Sequence, residues 1–357
     1  MRHFLLLCIA LIGCRGQAPD EVGGWKHIPE HYARSFEVWE NGPDRRLLVF
    51  GPGGRQDTVA TYLVSRNAPA GFRPLDRICV VGSAYLPFIS AIDRSSTVVG
   101  VDGTAFIRDP EIKAAIARGA VREIGTADGV DREQLLALAP EAILDHPFGK
   151  SLSDPPVDGV RRIMVTEYLE EHPLGRAEWL RFFGVLLGAE AAADSMFQAI
   201  VQRYEARSAR SPASDSMPLV FFGSTWQGQW FAPPAHSYMA TLITDAGGEY
   251  VFNDRSSGGN KVLDLEGVLE VTGRVDHFGM VLAAPGQVTA TTLVGGEPRL
   301  ADKEAIATGG FYGNSETADL FGQAILEPER VLADLQAIFH PTVFPEHVPV
   351  YFRPVDQ

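Results

Sequence analysis

"VDREQLLALAPEAIL", residues 130–144, opens on acidic residues, runs through three leucines and breaks at Pro140 before an apolar end. Asp131 stands where a helix N-cap belongs, because its carboxylate accepts one of the backbone N–H groups that a helix start leaves free. Glu133 falls in the first turn, where the helix dipole favours a negative charge. Pro140 cannot continue a helix, so the stretch reads as capped helix, break and short buried strand. It has an echo. In "LDLEGVLEVTGRVDHFGMVL", residues 263–282, Asp264 and Glu266 repeat the spacing of Asp131 and Glu133, and an apolar strand follows again. One chain that builds the same unit twice, late in each half, points to two lobes of similar construction.

Working outward from the first copy, "DRICVVGS" (76–83), "STVVGVDG" (96–103), "VREIGT" (121–126) and "RRIMVTE" (161–167) are short apolar strands. Helical segments such as "DPEIKAAIARG" (109–119) lie between them. That alternation predicts a parallel sheet with crossover helices. Around the echo, "LVFFGSTW" (219–226), "SYMATLITDAGGEYVF" (237–252) and "HFGMVLAAP" (277–285) begin a second α/β run. It closes with an amphipathic helix in "LEPERVLADLQAIFHPTVFP" (326–345) and an edge-like "VYFRP" (350–354). Between the runs, residues 175–210 carry apolar residues at helical spacing, with Gly184 and Gly188 as tolerated interruptions. One helix, or two nearly continuous ones, spanning about 50 Å is expected there, and such a rigid link predicts little opening between the lobes. Ahead of everything, "ARSFEVWEN", "RRLLVFG" and "VATYLVS" alternate like antiparallel strands, with the Gly-rich "GPGGRQD" (51–57) as a turn.

The expected fold class is therefore α/β: two Rossmann-like lobes joined by one long backbone helix and preceded by a small antiparallel β-hairpin or meander. The divisions read from the sequence are signal 1–13, tether 14–30, β extension 31–72, first lobe 73–172, linking helix 173–212 and second lobe 213–357.

The chain's net charge of −14 argues against a nucleic-acid partner, which needs a basic footprint. "MRHFLLLCIALIGC" has a short basic start and an apolar run too brief to span a bilayer, so it reads as a secretory signal. Its ending, Leu11-Ile12-Gly13-Cys14, resembles a bacterial lipobox, which makes Cys14 the expected site of lipidation and the membrane anchor. Cys79 then has no disulfide partner and sits in a buried-strand pattern as a small hydrophobe. Of the nine histidines only His27 and His31 stand at HxxxH spacing and the rest are scattered, so no protein-only metal site is expected. Neither GxSxG, GxxxxGK[ST], HExxH nor CxxC occurs, so no catalytic residue is assigned. An exported α/β enzyme acting on a chelate stays open as an alternative.

The 130–144 element and "HPLGRAEWLRFFGVLLG" (172–188) are similar to segments of the substrate-binding proteins of metal-chelate ABC importers. These are the cobalamin and ferric-siderophore type, or class III periplasmic binding proteins, and the resemblance covers roughly residues 75–345. It implies two lobes on a backbone helix, no cofactor, and a corrinoid or ferric siderophore as ligand, with haem as the alternative. It implies export to the periplasmic side of the envelope and a monomer working with the membrane subunits of an importer. In that family a Glu on each lobe pairs with arginines of those subunits. By position these are Glu133 and Glu266, although Thr272-Gly273-Arg274 departs from the pattern usual after the second.

Ligands of two-lobed α/β binders lie in the cleft, against loops at the carboxyl ends of strands. "GSTWQGQWFAPPAHSYM" (223–239) places Trp226, Gln229, Trp230 and Tyr238 in such a stretch, and first-lobe loops add Tyr85, Phe148 and Tyr168. Aromatic faces suit a bulky macrocycle or aryl chelate. The sequence puts Arg108, Arg255 and Lys261 in no obvious cleft loop, although Arg255 lies in "NDRSSGGNK" (253–261), a plausible rim, and the excess of aromatics over cleft arginine tilts the expectation slightly towards a corrinoid.

Overall fold

The computed structural model describes residues 21–355, apart from 66, 68–70, 127–128, 147–156, 213–216, 253, 255–258, 283–288, 292–296, 301 and 316. Cys14, Phe148 and Arg255 lie outside the described residues.

Five antiparallel strands come first and pair in chain order: β1 (Glu21–Val22), β2 (Trp25–Ile28), β3 (Phe36–Asn41), β4 (Asp44–Gly51) and β5 (Gly54–Val64). Strand pairing thus begins at Glu21, inside the stretch read as tether. The chain then alternates β6 (Ile78–Val80), α1 (Leu86–Ala91), β7 (Val98–Val101), α2 (Pro110–Ala117) and β8 (Arg122–Glu123). A small hairpin, β9 (Gly125–Thr126) and β10 (Gly129–Val130), leads into α3 (Arg132–Leu138), β11 (Ala142–Asp145) and β12 (Arg161–Met164). The sheet runs β12-β11-β6-β7-β8 and is parallel throughout. Strands covered on both faces must be apolar along their length, and β6, β7 and β11 are buried at every residue. Cys79 is one of these, and burial pushes its thiol up to about 12, so it packs as an inert small side chain.

The expected continuous helix over 173–212 is corrected by the structure. It divides into α4 (Pro173–Leu186) and α5 (Glu190–Ser208), which fold back on one another. The cause is Gly188, whose φ of +67° is a left-handed conformation that glycine adopts without strain at a helix end. Gly184 lets the arms close, since a Cβ there would lie 2.6 Å from the Cβ of Ala193. His172 stays near Tyr204, with ring centroids 6.0 Å apart, and Arg181 pairs with Asp194 at 2.8 Å, so the arms run antiparallel. The lobes are therefore linked by 19-residue α5 alone, about 28 Å long rather than about 50 Å.

The second lobe holds β13 (Leu219–Trp226), β14 (Gln229–Ala232), α6 (Tyr238–Asp245), β15 (Glu249–Tyr250), β16 (Lys261–Leu263) and α7 (Leu265–Thr272). β17 (His277–Val281), β18 (Phe311–Asn314), α8 (Pro328–Phe339) and β19 (Phe352–Pro354) follow. The sheet order is β16-β14-β13-β17-β18-β19, with β15 on the start of β13. β13, β17 and β18 are parallel, and the flanking β14, β16 and β19 are antiparallel. Gly279 in β17 is required by packing, because a Cβ would come within 2.2 Å of the fully buried Tyr312 ring.

Three buried carboxylates fasten the flanking segments to this frame. Glu178 of α4, wholly buried, accepts from the backbone N–H groups of His31, Tyr32 and Ala33 at 2.8–3.1 Å and pairs with Arg181 at 3.2 Å. Glu170 accepts from Arg34 N, Ser35 N and Trp179 Nε1 at 2.8–3.0 Å. Asp334 of α8 does the same for the chain end, taking Val350 N, Tyr351 N and Phe352 N together with His347 Nε2. Glu178→Ala orphans three N–H donors at once, and a loss of about 3 kcal/mol or more is expected in denaturant unfolding. An unchanged midpoint would show that the meander is held by apolar packing alone. Glu170 carries a pH signature. Burial raises its carboxyl to about 7 against the pull of its three donors, so the folded chain keeps this proton to a higher pH than the unfolded chain does. Its contribution to stability is complete below the unfolded value near 4.5 and is lost as pH rises through about 7. Unfolding followed across that window should show Glu170→Gln with the flatter slope.

Candidate functional site

Loops at the carboxyl ends of parallel strands gather on one edge of each sheet. Among the described residues of the first lobe these are the loop after β7 (residues 102–109) and the segment after β12. In the second they are the β13–β14 hairpin and the loop after β18 (residues 315–322). Two of them meet across the molecule. Burial pushes the Asp319 carboxyl up, the N–H of Gln323 and the charge of Arg108 pull it back, and Asp109 adds to the rise. Arg108 and Asp109 of the first lobe therefore act electrostatically on Asp319 of the second.

Beside the start of α4, a pocket encloses about 350 Å³ of empty space, part of it open to solvent. Pro173 and Arg176 at the start of α4 form one wall, and Tyr238, Leu242, Leu320 and Ile325 of the second lobe form others. Arg176 is 9% exposed and donates through Nη2 to Oε1 of Glu167, itself 3% exposed, at 3.1 Å. Its guanidinium carbon lies 4.6 Å from the centroid of the Tyr238 ring, within cation–π range. One arginine thus joins a first-lobe carboxylate to a second-lobe aromatic ring. Glu167 Oε2 and Arg176 Nε remain without hydrogen-bond partners among the described residues. Beside the pair, Thr241 Oγ1 donates to the Glu171 carbonyl at 3.1 Å, a second tie across the lobes.

The sequence-predicted ligand residues scatter. Tyr238 is half-buried at the pocket, and Tyr168 is half-buried next to Glu167, its hydroxyl pushed up to about 12 by burial. Trp226 (69% exposed) and Gln229 stand free at the β13–β14 hairpin, whose tight turn uses Gln227 and Gly228 at positive φ. Two aromatic residues do not line the cleft. Tyr85 is 3% exposed and packs near Phe183 in the core. Trp230 is 9% exposed and meets the Phe278 ring edge-on inside the second lobe. The alternation of β14 explains the latter, since Gln229 and Trp230 must point to opposite faces.

Glu133 is exposed on the first turn of α3, which Asp131 caps by accepting from Glu133 N and Gln134 N at 2.9 and 3.0 Å. Glu266 occupies the corresponding place on α7, where Asp264 accepts from Gly267 N at 2.8 Å. The two differ in company, because Glu266 pairs with Arg299 at 2.6 Å. Among the described residues no group of three His, Cys, Asp or Glu is placed to hold a metal ion, and no helix is long and apolar enough to cross a membrane.

Arg176 and Glu167 escaped the sequence reading, and Arg108 was considered there but placed in no cleft loop. For the first two a signal existed: "GRAEWL" puts charges inside a helix that is apolar almost all round, and buried charges are paired. Arg108 carried no such mark.

A parallel first-lobe sheet and a second-lobe sheet with a parallel centre, joined by α5, give the two-lobed α/β fold of a binding protein. The chain belongs to the periplasmic binding protein family, whose model matches residues 78–309. What such a protein holds is cargo, and the family carries no resident cofactor. A relative, an uncharacterized lipoprotein of Methanocaldococcus jannaschii, is 23% identical over 283 residues, which is 76% of this chain and 66% of that protein's length. A periplasmic heme binding protein from Pseudomonas aeruginosa shares the fold at a TM-score of 0.59 and 19% identity, over 79% of this chain and 99% of that one. CeuE of Helicobacter pylori, solved with nickel and histidine, shares it at a TM-score of 0.61 and 14% identity, over 84% and 90%. The family match begins after the five-stranded meander.

Removing Arg176 leaves Glu167 as an uncompensated buried charge. Arg176→Met should cost about 3–5 kcal/mol, and Glu167→Gln in that background should recover part of it. A double-mutant cycle with no coupling would mean that the two buried charges do not stabilise each other.

Proposed function

We infer that the chain is the receptor of an ABC importer, which captures a metal chelate between its lobes and delivers it to the membrane subunits. Membership of the periplasmic binding protein family carries this reading. The cleft bordered by the 102–109 and 315–322 loops is where cargo enters, with Tyr168, Trp226, Gln229 and Tyr238 as contacts within reach of it. The receptor is exported and held at the envelope by lipid on Cys14. Glu133 and Glu266, exposed on capped helix starts, offer the arginines of the membrane subunits a carboxylate on each lobe.

The corrinoid preference rested on a shortage of cleft arginine. Arg108 at the cleft edge and Arg176 at its base remove that ground, so an anionic iron chelate, siderophore or haem, suits the cleft at least as well. Arg108 is the exposed one of the two, whereas Arg176 is held by Glu167.

Thermal unfolding of the mature protein against haemin, cyanocobalamin, hydroxamate and catecholate ferric siderophores, Zn²⁺ and Fe³⁺ tests the reading. One organic chelate should raise the melting point, by about 2.7 kcal/mol of stability at a hundred times Kd, while bare ions leave it unmoved. A response to bare ions alone would sink the chelate reading. Glu133→Ala should abolish uptake with chelate affinity unchanged.

A further inference from the structure

The C-terminal end of α5 carries a guanidinium whose hydrogen-bonding edge is empty. Arg207 lies in the last turn of that helix, and Arg210 stands just beyond it. Nε and Nη2 of Arg207 are shielded from solvent, and neither has a hydrogen-bond partner among the described residues. Those two nitrogens form the side-on fork of an arginine, the edge that takes a carboxylate or phosphate through two parallel bonds. Gln336 of α8, wholly buried, donates through Nε2 to the Arg207 carbonyl at 3.2 Å and to Ser211 Oγ at 2.6 Å, yet its Oε1 has no partner among the described residues. Residues 341–349 form a strap that is exposed throughout except at Phe344 and His347. His347 is held by Asp334 at 2.6 Å. The Phe344 ring centroid lies 4.9 Å from the guanidinium carbon of Arg207 and 5.9 Å from that of Arg210, so one ring brings the two cations together.

A cation at a helix C-terminus is favoured by the helix dipole, which accounts for two arginines at this end of α5. It does not account for the hidden fork, because an exposed guanidinium serves the dipole equally well and keeps its water. Hiding the N–H groups of a charged side chain without an acceptor is unfavourable. Burial and the like charge of Arg210 push the Arg207 guanidinium down from its usual value, and Asp334 pulls it back. Asp334 is already committed to three backbone N–H groups and to His347. A water can accept one of the two free bonds but does not neutralise the charge. We propose that Arg207, with Arg210 beside it, binds an oxyanion, a carboxylate or phosphate group, beneath the Phe344 strap. The anion accepts from Nε and Nη2 of Arg207 together and relieves the repulsion between the two guanidinium groups. The site shares no residue with the loops that border the cleft, and it does not rest on the receptor reading.

The test is thermal unfolding of the mature protein in chloride buffer of fixed ionic strength, titrated with inorganic phosphate, with citrate, and with vesicles of phosphatidylglycerol or of phosphatidylcholine. At least one oxyanion probe should raise the wild-type melting point saturably. Arg207→Lys keeps a charge at the helix end but loses the fork, and should weaken that probe about tenfold. Arg210→Gln, at an exposed position where folding is not at stake, should weaken it about threefold. Arg203→Gln, whose side chain pairs with Glu329 at 2.7 Å one turn earlier, should bind like the wild type. A response to phosphate or citrate without one to vesicles assigns a free anion. A response to phosphatidylglycerol vesicles without one to phosphatidylcholine assigns a lipid headgroup, and either result supports the site. A response that Arg207→Lys and Arg210→Gln both leave unchanged would overturn it, as would silence towards every probe, which would leave water as the occupant of the fork.

Discussion

The structure depends on carboxylates that have given up water for backbone N–H groups. Glu178 and Asp334 are each wholly buried on a helix, and each collects three consecutive backbone donors from a chain segment that has no helix of its own. A charge in the interior is tolerable only when its lone pairs are filled, and both are filled by main chain. The reciprocal holds as well. Residues 31–33 and 350–352 have no ladder partner for those N–H groups along most of their length, so the carboxylates are what satisfies them. The first clasp fixes the meander to α4, the second fixes the chain end to α8, and α5 packs against α8 between them.

That arrangement gives the meander a mechanical role. It reaches the first lobe through Tyr62, whose hydroxyl accepts from Met164 N and donates to the Arg162 carbonyl on β12. It reaches the linker through Phe36, whose ring lies 4.9 Å from that of Trp179 on α4. The start of α4 also carries Arg176, so the wall of the pocket is braced from behind by Trp179 and Glu178. An added β-sheet outside the family match thus stiffens the place where the lobes are joined.

How much of this was legible in the sequence depended on whether the signal was local. Asp131 and Asp264 announce their helices because an N-cap is a contact between neighbours in the chain, and both accept the hydrogen bonds expected of them. The parallel sheets were legible for the same reason, since strands such as "RICVV" are apolar along their whole length. Gly188 was misjudged because a glycine in a helical pattern is either a tolerated interruption or a turn. Which one it is depends on Gly184 allowing the two arms to touch, a contact made only after folding. Trp230 and Tyr85 were read as ligand contacts from composition, and tertiary packing took both. Arg108 became visible only when folding brought it within electrostatic reach of Asp319, about two hundred positions away.

The two carboxylates proposed as docking handles, Glu133 and Glu266, are alike in sequence and unlike in setting. Glu133 projects from α3 with no ion-pair partner among the described residues, and Leu136, one turn on along the same face, is 60% exposed beside it. Glu266 is already met by Arg299, which Glu297 holds at 2.8 Å on its other side. All three members of that second group are in contact with solvent, where an ion pair is worth about 0–1 kcal/mol, so an arginine of a partner can displace Arg299 at small cost. The cost is still one-sided. In the proposed delivery complex the first lobe presents a bare charge and an apolar neighbour, whereas the second must exchange one arginine for another. Docking that begins at the first lobe and completes at the second follows from that difference in company.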